Sequence, residues 1–133
     1  MSIIDLSNDN MDDVQEPIAV DGDQEYKLYI VTCKMDTNKN DMPYILPRLE
    51  IIDEPLSREF TKYLPLPHNS MTEKELNKTK LGLKRFFDAF DIDSSAPVDV
   101  EELAGKEGWA ILGVESSEEY GDQNYIKRFV VGA

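Results

Sequence analysis

Residues 26–35, YKLYIVTCKM, are dense in β-branched and aromatic side chains and predict a strand. The polar cluster at 36–43 ends it as a turn with a charged tip. A second strand is expected over 44–53, with Ile45, Leu49 and Ile51 on one face and Tyr44, Arg48 and Glu50 on the other. Pro47 has no N–H to give to a ladder, which predicts an edge position or a bulge. Residues 58–66 read as a third strand, broken by Pro65. The period then lengthens. Leu76, Leu83, Phe87 and Phe90, with Phe86 beside them, recur at helical spacing and predict a helix from about 72 to 89. Thr72 and Glu75 match a capping box at its start. After a linker at 91–97 and a short segment at 100–103, residues 108–116 and 123–131 predict two more strands around a turn at 117–122. In the last strand Tyr125, Lys127 and Phe129 are expected on one face, and Ile126, Arg128 and Val130 on the other.

Three strands, one helix and two strands make a mainly β chain. That is the element order of a five-stranded Greek-key barrel of the OB-fold type, with its helix between strands 3 and 4, where it plugs the barrel's lower end. An open α+β sheet has the same order of elements.

Charge divides the chain. The 133 residues hold 27 acids and 14 bases, a net charge of −13. Eight of those acids, and no base or aromatic residue, lie in residues 1–25, leaving 19 acids against 14 bases beyond them. A segment with few bulky apolar residues and one sign of charge does not pack. The expected organisation is a disordered acidic arm at 1–25 and one folded domain at 26–133, matching a length that suits a single domain. No run of about 18 apolar residues occurs, so no membrane span is expected, and the N-terminus has neither the basic nor the apolar region of a secretory signal.

Chemistry is sparse. One cysteine, Cys33, and one histidine, His68, exclude an intramolecular disulfide and a Cys/His zinc site. Cys33 is expected in the core and His68 in a surface loop. The Asp91/Asp93 pair is expected to cap a linker rather than hold a metal. No phosphate-binding glycine loop, zinc-protease helix or nucleophile elbow is present, so neither catalysis nor a cofactor or metal is expected. Binding of single-stranded nucleic acid needs a cationic groove and flat side chains on which bases stack. The strands and turns supply both, and the candidate nucleic-acid-binding set is Tyr29, Lys39, Tyr44, Arg48, Lys62, Tyr63, Tyr120, Tyr125 and Lys127. Residues 74–85 carry five bases against Glu75, which reads as a solvated helix face. Trp109 is expected to pack in the core or at the barrel rim.

Several stretches are familiar in combination: Tyr26-Lys27-Leu28, the 38–43 turn leading into 49–53, the helix at 83–90, the Leu103-Ala104-Gly105-Lys106 step, and Glu119-Tyr120-Gly121-Asp122 followed by 125–129. Together they resemble a family of small bacteriophage proteins, found among replication and recombination genes and regarded as single-stranded-DNA-binding OB-fold proteins. The resemblance covers about residues 26–131. It implies a non-catalytic protein in the cytoplasm of the bacterial host that coats single-stranded DNA with little sequence preference. The partners it implies are single-stranded DNA, a phage recombinase, helicase or nuclease, and a second copy in a homodimer. The net charge supports a different class, an acidic OB-fold interaction module or a nucleic-acid mimic that inhibits a host enzyme.

Overall fold

The computed structural model describes residues 2–131. Its elements are β1 (Gln24–Thr37), β2 (Pro43–Ile51), β3 (Phe60–Thr61), β4 (Leu64–Pro65), α1 (Glu73–Ala89), β5 (Glu107–Ser117) and β6 (Gly121–Val130), with 3₁₀ turns at Met11–Asp13 and Val100–Leu103. The strands form one antiparallel sheet in the order β3-β2-β1-β5-β6, and β4 also pairs with β2. The sheet curls into a half-barrel of the OB-fold kind, mainly β, with its helix between β4 and β5; since β3 and β4 are two pieces of one expected strand, this is the place between strands 3 and 4 that the pattern predicts.

The third strand is two short pieces, and Pro47 is the reason. Pro47 is not at an edge: it is fully buried in β2, between β1 on one side and β3 and β4 on the other. Its carbonyl accepts from the Lys62 N–H (3.2 Å), so its missing N–H faces that same neighbour. The ladder lapses opposite it, and residues 62–63 bow out between Thr61 and Leu64.

Two bulges bend the sheet. One lies in β1 between Ile30 and Thr32, where Ile30 turns from β2 toward the Leu103–Lys106 step: Ile30 donates to the Lys106 carbonyl (2.9 Å) and accepts from Gly105 (2.7 Å). The other lies in β6, where Ile111 pairs with Arg128 but Leu112 with Ile126. The extra residue, Lys127, reverses the alternation. Phe129 therefore turns inward with Asn124 and Ile126, and Tyr125 remains outside, contrary to the shared face that strict alternation predicts.

Helix α1 closes one end. Thr72 Oγ1 accepts from the Glu75 N–H (3.2 Å), and Glu75 Oε1 accepts from the Thr72 N–H (3.3 Å), completing the capping box. Leu83, Phe86 and Phe90 are buried, and Phe129 joins Phe86 and Phe90 with ring centroids 5.7 and 6.3 Å away. The helix end lies so close to β5 that a Cβ on Gly108 would come within 2.6 Å of the Ala89 carbonyl oxygen.

The far seam, between β3 and β6, has no ladder among the described residues. Arg58 spans it, its guanidinium donating to the carbonyls of Tyr120 and Asp122. The chain before β1 reinforces the seam. Ile18 forms a parallel bridge with Ser57 and exchanges backbone hydrogen bonds with Leu56 and Arg58. Val20 is held at both its N–H and its carbonyl by the buried amide of Asn124. Packing thus begins before residue 26: Gln24 and Glu25 already pair with Leu112 and Ile111, whereas residues 2–18 are exposed.

Candidate nucleic-acid interface

The nine candidate residues divide into separate neighbourhoods, and only one of these pairs aromatic rings with free cations. Tyr44 points outward from β2. Tyr63 stands in the two-residue gap between β3 and β4 that Pro47 imposes. Their rings meet with centroids 4.7 Å apart and planes tilted by 33°, and Tyr63 remains 46% exposed. The β1–β2 turn fixes this pair. Asn38 Oδ1 accepts from the N–H groups of Asn40 (2.8 Å) and Met42 (3.1 Å), a side chain standing in for backbone as turn asparagines do. Its Nδ2 donates to the Tyr63 hydroxyl (3.2 Å).

Cations flank the pair. Lys39 follows Asn38 in the turn and Lys62 precedes Tyr63. On the other side of Tyr63 a groove of about 460 Å³ runs to α1, lined by Lys62, Tyr63, Pro65, Met71, Glu75 and Lys78. Lys39, Lys62 and Lys78 form no ion pair among the described residues. Two carboxylates are near: Glu75, which accepts from the Thr72 N–H of the cap, and Asp36, opposite Tyr44 in the β1–β2 register.

The other candidates sit elsewhere. Arg48 shares the outer face of β2 but is paired with Glu59 (3.4 Å). The Tyr29 hydroxyl donates to Glu50, and that bond, more than its modest desolvation, pushes its ionisation above the ordinary tyrosine range. Tyr29 opens onto a cleft of about 770 Å³ lined also by Glu50, Asp53, Glu54, Ser57 and Glu107, an anionic wall that repels phosphate. Tyr120 is exposed at the β5–β6 turn, and its carbonyl is spent on Arg58. The Tyr125 ring lies over Gly113, where a Cβ would come within 2.5 Å of it. Lys127 is paired with Asp23, whose hydrogen bond holds the ammonium above its ordinary range.

Sequence patterns did not point to three residues here. Asn38 positions the pair, and Asn in a polar turn is its only signal. Lys78 belongs to the helix face taken as solvated, yet it lines the Tyr63 groove. Trp109 is neither in the core nor at a packed rim: it stands 38% exposed on the outer face, between Lys27 and Val130. Cys33 is buried, and that burial pushes its thiol up to about 11. His68 is half-buried, with Nδ1 against the Ser70 hydroxyl (2.7 Å), and Asp93 bonds Ser95 (2.9 Å to its N–H). Among the described residues no three His, Cys, Asp or Glu side chains group as a metal site, and no helix is long and apolar enough to cross a membrane.

No protein-family model and no curated protein sequence matches the chain.

Proposed function

We propose that this is a non-catalytic single-stranded-DNA-binding protein that stacks bases on Tyr63 and Tyr44. The observation that carries the reading is the Tyr44–Tyr63 ring pair, with Tyr63 exposed and held at its hydroxyl by Asn38, and unpaired Lys62 and Lys78 lining the groove beside it. It lies where the strand 2–3 face and the first loop of an OB-fold take oligonucleotides. Every base has a π-face, so such a platform binds with little sequence preference, and each stacked base is worth roughly 1–3 kcal/mol. The resemblance to phage replication and recombination proteins supports a role in that setting. A host-cell cytoplasmic location and recombinase, helicase or nuclease partners belong to the same proposal.

Fluorescence titration with a labelled oligodeoxynucleotide tests it. Binding should weaken as salt rises, with a log–log slope of about −0.7 for each phosphate neutralised. A flat salt response, or no binding, would count against the reading. One observation favours a second reading, an acidic interaction module that mimics nucleic acid: the cleft around Tyr29 presents Glu50, Asp53, Glu54 and Glu107 together. A mimic would leave the oligonucleotide unbound at every salt concentration.

A further inference from the structure

Helix α1 is the anomaly in a protein of net charge −13. Residues 74–85 carry Lys74, Lys78, Lys80, Lys84 and Arg85 against one acid, Glu75. Within them Lys74, Lys78, Leu81 and Arg85 are spaced by four, three and four residues, which sets them in one stripe along the helix. All four are exposed. The stripe joins two grooves. At one end Lys78 lines the Tyr63 groove. At the other, Leu81 and Arg85 line a groove of about 440 Å³ against Arg128, Phe129 and Val131 of the β6 end. Lys78 and Arg85 are separated by about 10 Å of helix, seven residues at ~1.5 Å each. The carboxylates on the way are engaged: Glu75 accepts from the Thr72 N–H, and Asp88, in the second groove, is paired with Lys84 (2.9 Å). Lys74, Lys78, Arg85 and Arg128 have no ion-pair partner among the described residues. The outer sheet face, by contrast, carries its cations in pairs, Arg48 with Glu59 toward β3 and Lys27 with Glu107 toward β5, and holds Glu50 between them.

We infer that a single strand stacked on Tyr63 and Tyr44 leaves the sheet and continues along α1, its phosphates passing Lys78 and Arg85 to Arg128. The exposed Leu81 and Val131 give bases an apolar surface on that stretch. The inference rests on the nucleic-acid reading of the stacked pair and adds a track that the usual sheet-face site lacks. It makes the binding site longer than the platform. A strand of about four nucleotides engages the tyrosines alone, and one of about sixteen, the upper end for an OB-fold, engages both.

The test compares the full chain with a double variant, Arg85→Ala with Arg128→Ala, on single-stranded oligodeoxynucleotides of both lengths. Lys27→Ala serves as a control for generic loss of charge, and thermal melts confirm folding. The double variant should bind the long oligonucleotide about tenfold more weakly and lower its salt slope by about 1.4, two phosphates' worth, while leaving the short one unchanged. An unchanged affinity for the long strand overturns the inference, as does an equal loss on both lengths or an equal loss in Lys27→Ala. A double variant that keeps long-strand affinity but changes its sedimentation behaviour gives the groove to a second copy and overturns it too. Failure of the wild-type chain to bind either length overturns the nucleic-acid reading itself, whereas normal binding of the short strand keeps that reading whatever becomes of the track.

Discussion

Tyr63 and Tyr125 look alike in the sequence, each expected in a strand, the first next to Lys62 and the second two residues from Lys127, but the fold gives them opposite surroundings. Tyr63 sits in a break in the ladder, its ring against Tyr44, with Lys62 and Lys78 unpaired beside it. Tyr125 packs its ring against Gly113, and the nearby base, Lys127, is tied to Asp23. The difference teaches that an aromatic next to a base along the chain is not an aromatic next to a free charge. An exposed ion pair adds little to stability, but it does cancel the charge that a phosphate would seek. Tyr29 makes the same point more strongly, since its neighbours are carboxylates.

The largest effect that would sharpen this contrast is on affinity. Tyr63→Ala should weaken oligonucleotide binding by roughly 1–3 kcal/mol, whereas Tyr125→Ala should leave it within experimental error, as read by anisotropy on folded protein. Equal losses would erase the distinction between the two tyrosines.

Next comes Gly113→Ala. Its new methyl group must push the Tyr125 ring outward, at a cost of about 1 kcal/mol in denaturant unfolding, with oligonucleotide affinity unchanged. If affinity fell with stability, the Tyr125 side would belong to the interface after all.

A smaller difference separates two bases of the same set. Lys62→Ala should flatten the salt slope by about 0.7, and Arg48→Ala by clearly less, because Glu59 already neutralises Arg48. Salt titrations of both variants on one oligonucleotide decide it.

A separate effect reads the platform from below. Cys33 lies opposite Pro47 in the β1–β2 register, on the buried side of the strand that carries Tyr44. Its folded thiol titrates near 11, against about 8.5 in an unfolded chain. Between those values the native state holds a proton that the unfolded state has released, so stability should fall as pH rises from about 8.5 toward 11. Denaturant melts at pH 8 and pH 10 measure the change, and Cys33→Ala should remove that part of it. At pH 8 the thiol should react with a disulfide reagent only on unfolding.

How legible this was depended on the range of each cause. Strands β1, β2, β5 and β6 and the capped helix were readable because their signals are local: β-branched runs, a 3.6-residue stripe, Thr72 with Glu75. The pattern puts the break of the third strand at Pro65, but Pro65 pairs with Tyr44 and the break falls at 62–63, because its cause, the missing N–H of Pro47, acts across the sheet. The inward turn of Phe129 was not readable either, since a single extra residue at Lys127 reverses every later side chain. Of the nine candidates, Tyr44, Lys62 and Tyr63 come together, and Lys39 follows Asn38 in the turn that holds Tyr63. Arg48, Tyr29 and Lys127 are claimed by Glu59, Glu50 and Asp23, partners that no local pattern marks, in the last case 104 residues away. The acidic segment was readable as a composition. That its residues 18–23 brace the seam through Ser57, Asn124 and Lys127 was not, because those partners lie in distant strands and turns.

Stacking of bases on the Tyr44–Tyr63 pair can be read by photocrosslinking a single-stranded oligonucleotide that carries 5-iododeoxyuridine and mapping the linked residue by mass spectrometry. Adducts are expected at Tyr63 or Tyr44. Adducts confined to Tyr29, Trp109, Tyr120 or Tyr125 would contradict it.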